Sequence, residues 1–240
     1  MKGGEDMNGI VIIPAYNPDE QLIELVNAIW NYGNQIIVVD DGSASNCLPI
    51  FKTCCDKAII IHHETNRGKG AAIKTAFSYI QKEIWDADMI GIMDADGQHR
   101  PEDMEKVLNH AKNRKMTMIL GVRKIDRNMP LKSRIGNQLT RKIFQIISGV
   151  KLTDTQTGMR AFDKNLIERL MSVDGERYEY ETNVLFELVK EHISIEEVPI
   201  QTIYHDKNNS CSHFRAFRDS VRIYKDIIWK GRKRHEKTDM

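Results

Sequence analysis

Asp94-Ala95-Asp96 is the densest chemistry in this chain: two carboxylates flank one small residue directly after an apolar run. That spacing suits Mg2+ or Mn2+, hard cations that take oxygen ligands and keep waters and phosphate oxygens in their remaining positions. Gln98, two residues on, offers a neutral oxygen as a further metal ligand. A cation held there would neutralise a diphosphate and stabilise its departure. Acidic turns are also common as merely solvated turns, so the meaning of the pair depends on what surrounds it.

The surroundings follow from the elements that must position it. Apolar, β-branched runs at 9–13, 35–39, 58–61, 89–93 and 116–122 predict strands buried on both faces of a parallel sheet. Helical patterns at 19–31, 68–83 and 101–112 separate them. Pro101 suits a first helical turn, and Glu102 and Asp103 suit the positive end of the helix dipole. Strand–helix alternation of this kind predicts a doubly wound, mostly parallel α/β fold with right-handed crossovers. Ligands of such sheets bind beyond the carboxyl ends of the strands. There the chain places Pro14-Ala15-Tyr16-Asn17, Asp40-Asp41-Gly42-Ser43, the 66–70 loop and Asp94-Ala95-Asp96-Gly97-Gln98-His99. Four acids in two of these loops would repel each other unless a cation or a donor-rich ligand lay among them. The arrangement asks for a metal and a nucleotide.

Past residue 121 the pattern loosens. Residues 133–148 have the spacing of an amphipathic helix, 153–162 is a polar, glycine-containing connection, and 164–171 and 181–192 predict short helices. Residues 195–203 predict a late strand, on an edge because of Pro199. No repeat, low-complexity stretch or Gly/Ser/Pro-rich linker divides the chain.

The composition excludes several classes. With 29% charged and 41% hydrophobic residues, the 240-residue chain is neither disordered nor collagenous, and it is long enough for a sizeable core. A net charge of +1 lacks the basic excess of a dedicated nucleic-acid binder, so no nucleic acid is expected. Cys47, Cys54, Cys55 and Cys211 show no zinc-binding spacing and are expected as reduced thiols. No window of about 18–20 apolar residues is present, so no bilayer-spanning segment is expected and the chain is placed on the cytoplasmic side.

Taken together and in order, Val11-Ile12-Ile13-Pro14-Ala15-Tyr16-Asn17, Val38-Val39-Asp40-Asp41-Gly42-Ser43, Asn66-Arg67-Gly68-Lys69-Gly70 and Asp94-Ala95-Asp96-Gly97-Gln98-His99 resemble the family-2 inverting glycosyltransferases of GT-A fold. The likeness is to the dolichyl-phosphate mannose synthase and polyprenyl-phosphate glycosyltransferase branch. It continues through Gly121-Val122-Arg123 and Asp154-Thr155-Gln156-Thr157-Gly158-Met159-Arg160-Ala161-Phe162 and ends in Ser212-His213-Phe214. The resemblance implies a glycosyltransferase domain over 1–212, with a nucleotide-sugar half (1–122) and an acceptor half (123–212), and a basic amphipathic tail over 213–240. It implies that Pro14, Tyr16, Glu20, Val39, Asp41, Lys69, Asp94, Ala95, Asp96 and Arg123 bind the nucleotide and donor sugar, Asp41 by accepting from the base. Asp96 and Gln98 would be the metal ligands, and Arg134, Arg160 and His213 would serve the acceptor phosphate. Asp96, Asp154 and Glu181 are the implied catalytic carboxylates. Plainer readings stand beside these: Tyr16 as a core residue, Asp40 as a helix cap, Arg134 as a surface charge, Asp154 as a partner of Arg160, and Glu179 or Glu181 as a cap of the 182–192 helix.

The implied reaction moves a single sugar, with inversion, from a nucleotide-diphosphate donor to polyprenyl phosphate. A hydroxyl acceptor would need a general base, Glu179, Glu181 or Asp154. A phosphate acceptor would not, since its second ionisation lies near pKa ~6. Mannose synthases of this kind carry Arg and Lys in the loop that closes over the donor; here 205–213 offers His205, Lys207 and His213, which favours a UDP-sugar over GDP-mannose. In the tail, 213–237, nine Lys or Arg stand against three Asp or Glu, a net of +6 that leaves −5 elsewhere. Phe214, Phe217, Val221, Tyr224 and Ile228 form one apolar face of a helix, with Arg215, Arg218, Arg222 and Lys225 beside it. Such a helix suits an anionic membrane surface, or simply packs on the domain. The expected setting is therefore peripheral, on the inner face of the membrane, and a homo-oligomer is left open. A nucleotidyltransferase would carry a Gly-rich basic loop after the first strand, which is absent here. A non-catalytic membrane adaptor would leave the strand-end carboxylates unexplained.

Overall fold

The computed structural model describes residues 9–83, 87–123 and 131–201, the side chains of 131–136 excepted. In chain order the elements are β1 (Ile10–Ala15), α1 (Gln21–Asn31), β2 (Gln35–Asp40), α2 (Leu48–Cys54), β3 (Ile59–His62), α3 (Lys69–Lys82), β4 (Met89–Ile92), α4 (Pro101–Ala111), β5 (Thr117–Arg123), α5 (Leu131–Ser148), β6 (Arg160–Asp163), α6 (Ile167–Ser172), α7 (Glu179–Lys190) and β7 (Ser194–Ile200). The strands form one sheet in the order β3-β2-β1-β4-β6-β5-β7. Every pairing is parallel except the two that β6 makes with β4 and β5.

Side-chain alternation along β1 explains the layering. Ile10 and Ile12 face one core with Ala72, Ile73, Ala76 and Phe77 of α3 and Tyr180, Val184, Leu185 and Leu188 of α7. Val11 and Ile13 face the other, with Leu22, Leu25, Val26 and Ile29 of α1, Phe51 of α2 and Met104, Val107 and Leu108 of α4. A strand covered on both sides has no solvent face, which is why its sequence is apolar throughout. Pro101 sits in the first turn of α4 as expected, with Glu102 and Asp103 behind it.

Three features depart from the sequence reading. The short α2 was not anticipated; its seven residues carry too little periodicity to register. The 153–162 connection contains β6, a four-residue strand that runs antiparallel in the middle of the sheet. Helix α7 begins at Glu179, two residues earlier than the pattern suggests. Pro199 does lie in an edge strand, since β7 closes the sheet beside β5. Cys47, Cys54 and Cys55 are free thiols. Among the described residues no helix is long and apolar enough to cross a membrane. The 213–240 tail lies outside the described residues.

Candidate active site

β1 pairs with β2 on one side and β4 on the other, so the chain direction of the crossovers reverses there and a crevice opens at their carboxyl ends. The four loops expected to meet do meet at this rim. Ala15 is level with Asp40, which sets Tyr16 beside Asp41. The loops after β1 and β2 are tied together: the Asn17 N–H donates to Ser43 Oγ at 2.8 Å, and the Ala44 N–H donates to Asn17 Oδ1 at 2.8 Å. Tyr16 is 39% exposed, which removes the core reading. Asp40 does act as a turn residue, accepting the Ser43 N–H at 2.9 Å.

β6 brings a further loop to the same rim. Because it runs antiparallel, its first residue, Arg160, aligns with Ile92 near the end of β4 and with Leu120 near the end of β5. The 153–159 loop that precedes it therefore lands against the Asp94 turn. Gly158 packs so closely there that a Cβ would fall inside the Asp94 carboxylate, well within van der Waals distance. Gly158→Ala should leave the melting temperature near wild type, because Asp94 can rotate, and lower turnover on the order of 10²-fold by displacing that carboxylate. Steady-state kinetics with a parallel thermal melt checks both halves of this expectation.

Lys69, the first residue of α3, joins the two halves of the site. Its ammonium lies 2.6 Å from Asp94 Oδ1 and 2.9 Å from Glu181 on α7. Burial acts to raise the Asp94 pKa, but the Lys69 charge and hydrogen bond hold it below the ordinary aspartate value. Among the described residues Asp96 has no such ion-pair partner. Burial, and then the Asp94 charge, push it up to about 6. A carboxylate so placed is short of positive charge, and a divalent cation would supply it. Gln98 lies next to it, buried, its backbone N–H donating to Asp96 Oδ1 at 3.1 Å. Among the described residues no group of three or more His, Cys, Asp or Glu side chains converges as a metal cage. One carboxylate and one amide oxygen nonetheless fit a hard cation whose other positions go to water and phosphate oxygens. His99, buried beside them, is driven by burial down to about 4 and is neutral near pH 7.

Asp154 is fully buried and pairs with Arg123, not with Arg160. The Arg123 guanidinium donates from Nε at 2.6 Å and from a terminal nitrogen at 3.1 Å. Asn137 of α5 and the Gln156 N–H donate to the same carboxylate at 3.3 and 3.0 Å. Asn137 carried no signal in the sequence: the apolar positions 135, 139, 143 and 146 mark the opposite side of the helix, yet Leu139 and Ile146 are exposed and Asn137 is buried.

Two of the implied site residues have side chains enclosed by the fold. Val39 is fully buried and belongs to the α3-side core, since a mid-sheet residue of a doubly covered strand has no free face; its side chain does not line a ligand pocket. Arg160 is enclosed between the 153–159 loop and α7. It is 2% exposed and donates to the main-chain carbonyls of Thr157 at 3.2 Å and Glu181 at 2.9 Å, a strut between that loop and α7. Pro14 is buried in β1, Glu20 is exposed just before α1, and Ala95 packs part-buried against the α4-side core. The Arg134 side chain and His213 lie outside the described residues.

Comparison with known proteins agrees with this geometry. A UDP-N-acetylglucosamine–dolichyl-phosphate N-acetylglucosaminyltransferase of Methanococcus voltae is 35% identical over 217 residues, spanning 81% of this chain and 85% of the relative. A polyprenol monophosphomannose synthase of Mycolicibacterium smegmatis is 27% identical over 203 residues, spanning 80% and 76%. Glucosyl-3-phosphoglycerate synthase of Mycobacterium tuberculosis, solved with Mn2+, UDP-glucose and phosphoglyceric acid, superposes with a TM-score of 0.70 at 14% identity, covering 92% of this chain and 79% of that one. That last likeness is one of fold, and the fold is the GT-A arrangement expected from the motifs. The sequence model of glycosyl transferase family 2 matches residues 10–171, and the chain belongs to that family.

Proposed function

We propose that the protein is an inverting glycosyltransferase that moves one sugar from a UDP-sugar to a polyprenyl phosphate at the cytoplasmic face of a membrane, with Mg2+ or Mn2+ held by Asp96 and Gln98. One observation carries the choice of acceptor. Each of the three carboxylates considered as a base for a hydroxyl is already engaged: Asp154 by Arg123, Glu181 by Lys69, and Glu179 by the N–H groups of Glu176 and Arg177. Burial acts to raise Asp154, yet Arg123 holds it below the usual aspartate value, a poor setting for a base. A phosphate acceptor is anionic at neutral pH and asks the protein for cations and position instead.

When bound, the cation neutralises the departing diphosphate. Lys69 and Arg123 are the chain's own cations at the site, and Glu181 and Asp154 orient them. The Methanococcus voltae relative, named for transfer from UDP-N-acetylglucosamine to dolichyl phosphate, supports both the donor and the lipid acceptor. Helix α5 supports a membrane contact. Its inner face carries Asn137 to Asp154, while Leu139 and Ile146 (82% exposed) stand outward beside exposed Lys142. The basic 213–237 segment adds to that reading.

The test is incubation with labelled UDP-sugar, Mn2+ and either polyprenyl phosphate in anionic vesicles or a soluble sugar acceptor. Label is expected in the organic-extractable lipid. Transfer only to the hydroxyl acceptor would overturn the proposal and assign Glu179, Glu181 or Asp154 as base.

A further inference from the structure

Behind the donor rim lies a buried polar chain that ties Asp41, implied above as a base-binding residue, to the loop that precedes α3. Asp41 follows β2, and its side chain is 5% exposed. Its carboxylate accepts the backbone N–H of Arg67 at 2.9 Å and of Gly68 at 2.7 Å. A third donor is His63 Nδ1 at 2.8 Å. His63, just past β3, is equally buried, and its Nε2 lies 2.9 Å from Thr75 Oγ1 on α3. An ionised carboxylate only accepts, so Nδ1 carries a proton, and in the neutral ring Nε2 accepts from the Thr75 hydroxyl. The preceding pair differs: Asp40 meets His62, whose side chain is half exposed.

These contacts form a closed circuit. It starts on α3 at Thr75, crosses the ends of β3 and β2 through His63 and Asp41, and returns through the Arg67 and Gly68 N–H groups to Lys69, the first residue of α3. The circuit is packed as well as bonded. Gly42, at φ +73°, lies directly on the backbone of Thr65 and Asn66, where any Cβ would collide. The Asp41 N–H is fixed to Ala15 O at 2.8 Å, and the His63 N–H to Asp40 O at 2.8 Å. A carboxylate with three donors is held in one orientation, and here two of the donors belong to the loop that delivers Lys69 to Asp94.

We infer that His63, backed by Thr75, is a positioning residue for the donor site: it orients Asp41 and, through Asp41, the 66–68 loop that places Lys69. It deepens, and rests on, the nucleotide-donor proposal. His63 itself touches no ligand in this scheme. Its loss would take one of three donors from a buried carboxylate and let it turn, loosening the loop before any chemistry begins.

The test compares the wild-type chain with His63→Leu and His63→Asn. The asparagine amide nitrogen reproduces Nδ1 and so retains the Asp41 contact while abandoning Thr75. Binding of UDP with Mn2+ is followed by calorimetry, KM and kcat for the UDP-sugar by steady-state assay, and folding by thermal melt. His63→Leu should raise the UDP dissociation constant and donor KM about 10- to 100-fold, the range for a hydrogen bond to a charged group, with kcat within about twofold. His63→Asn should recover most of that loss. Unchanged affinity in His63→Leu, or equal losses in the two variants, overturns the inference. Failure of the wild-type chain to bind either UDP or GDP with Mn2+ overturns the donor proposal itself, and this inference with it.

Discussion

Asp96→Ala is expected to lower sugar transfer by about 10³-fold or more while the chain stays folded. Removing a metal-held carboxylate withdraws several kcal/mol of charge stabilisation from the leaving diphosphate, and each ~1.4 kcal/mol is a factor of ten in rate. The fold should not suffer. Asp96 is pushed up to about 6 by burial and by Asp94, so its charge sits in an unfavourable field and its removal relieves repulsion. The melting temperature should therefore match or slightly exceed wild type. The stabilisation that UDP-sugar plus Mn2+ confers on the wild-type chain should vanish at the same time. An active Asp96→Ala variant would remove Asp96 from the metal site.

Arg123→Ala should be the most destabilising single change at the site. Asp154 is fully buried and Arg123 is its charged partner, so the substitution strands a carboxylate inside the fold. Breaking a buried pair costs about 3–5 kcal/mol. The lower figure applies here, because Asn137 and the Gln156 N–H still donate to Asp154. For a domain of this size the melting temperature should fall by roughly 6–12 °C.

The pH dependence of that loss has a definite sign. In the wild-type chain burial acts upward on Asp154 but Arg123 prevails, so the folded pKa lies below the unfolded one. Its contribution to stability is then present above the unfolded value, near ~3.9, and is lost as the pH falls through the folded value. In Arg123→Ala burial acts with only neutral donors against it, the folded pKa rises, and the charged group opposes folding at neutral pH. The gap between variant and wild type should thus be widest near pH 7 and narrow on acidification. Thermal melts of both proteins between pH 7 and pH 4 measure it, and a gap that widens in acid would contradict the assignment of Asp154 as an ionised, Arg-paired group.

Much of this site was legible in the linear chain because sheet physics marks it. Strands buried on both faces must be apolar throughout, so the polar residues directly after them stand out: Tyr16, Asp41, Asp94 and Asp96 all follow such runs. Lys69 was legible by its motif. Its partners were not, because an ammonium on a flexible stem is committed only by what approaches it, and Glu181 approaches from 112 residues away in the chain. Arg160 shows the opposite failure. Its type and motif suggested an anion ligand, yet its place at the first residue of an interior strand turned the guanidinium toward main-chain carbonyls. His63 gave no signal, since a histidine after a strand is ordinary until a carboxylate and a hydroxyl are found on its two nitrogens.

The layered α/β fold, the sheet rim where ligands bind and the four carboxylates gathered there are all written in the linear chain. Periodicity and strand-end position are local properties, readable within a dozen residues. How the segment beyond residue 123 meets the strand-end loops is set by long-range contacts instead. β6 is four residues long, too short to announce itself, and its antiparallel course inside the sheet follows from pairing with β4 and β5 rather than from its own residues. That reversal carries Gly158 onto Asp94, while the packing of α5 and α7 brings Asn137 to Asp154 and Glu181 to Lys69. Which charges are paired, and hence which carboxylates are unavailable as bases, depends on contacts between distant segments that no local pattern encodes.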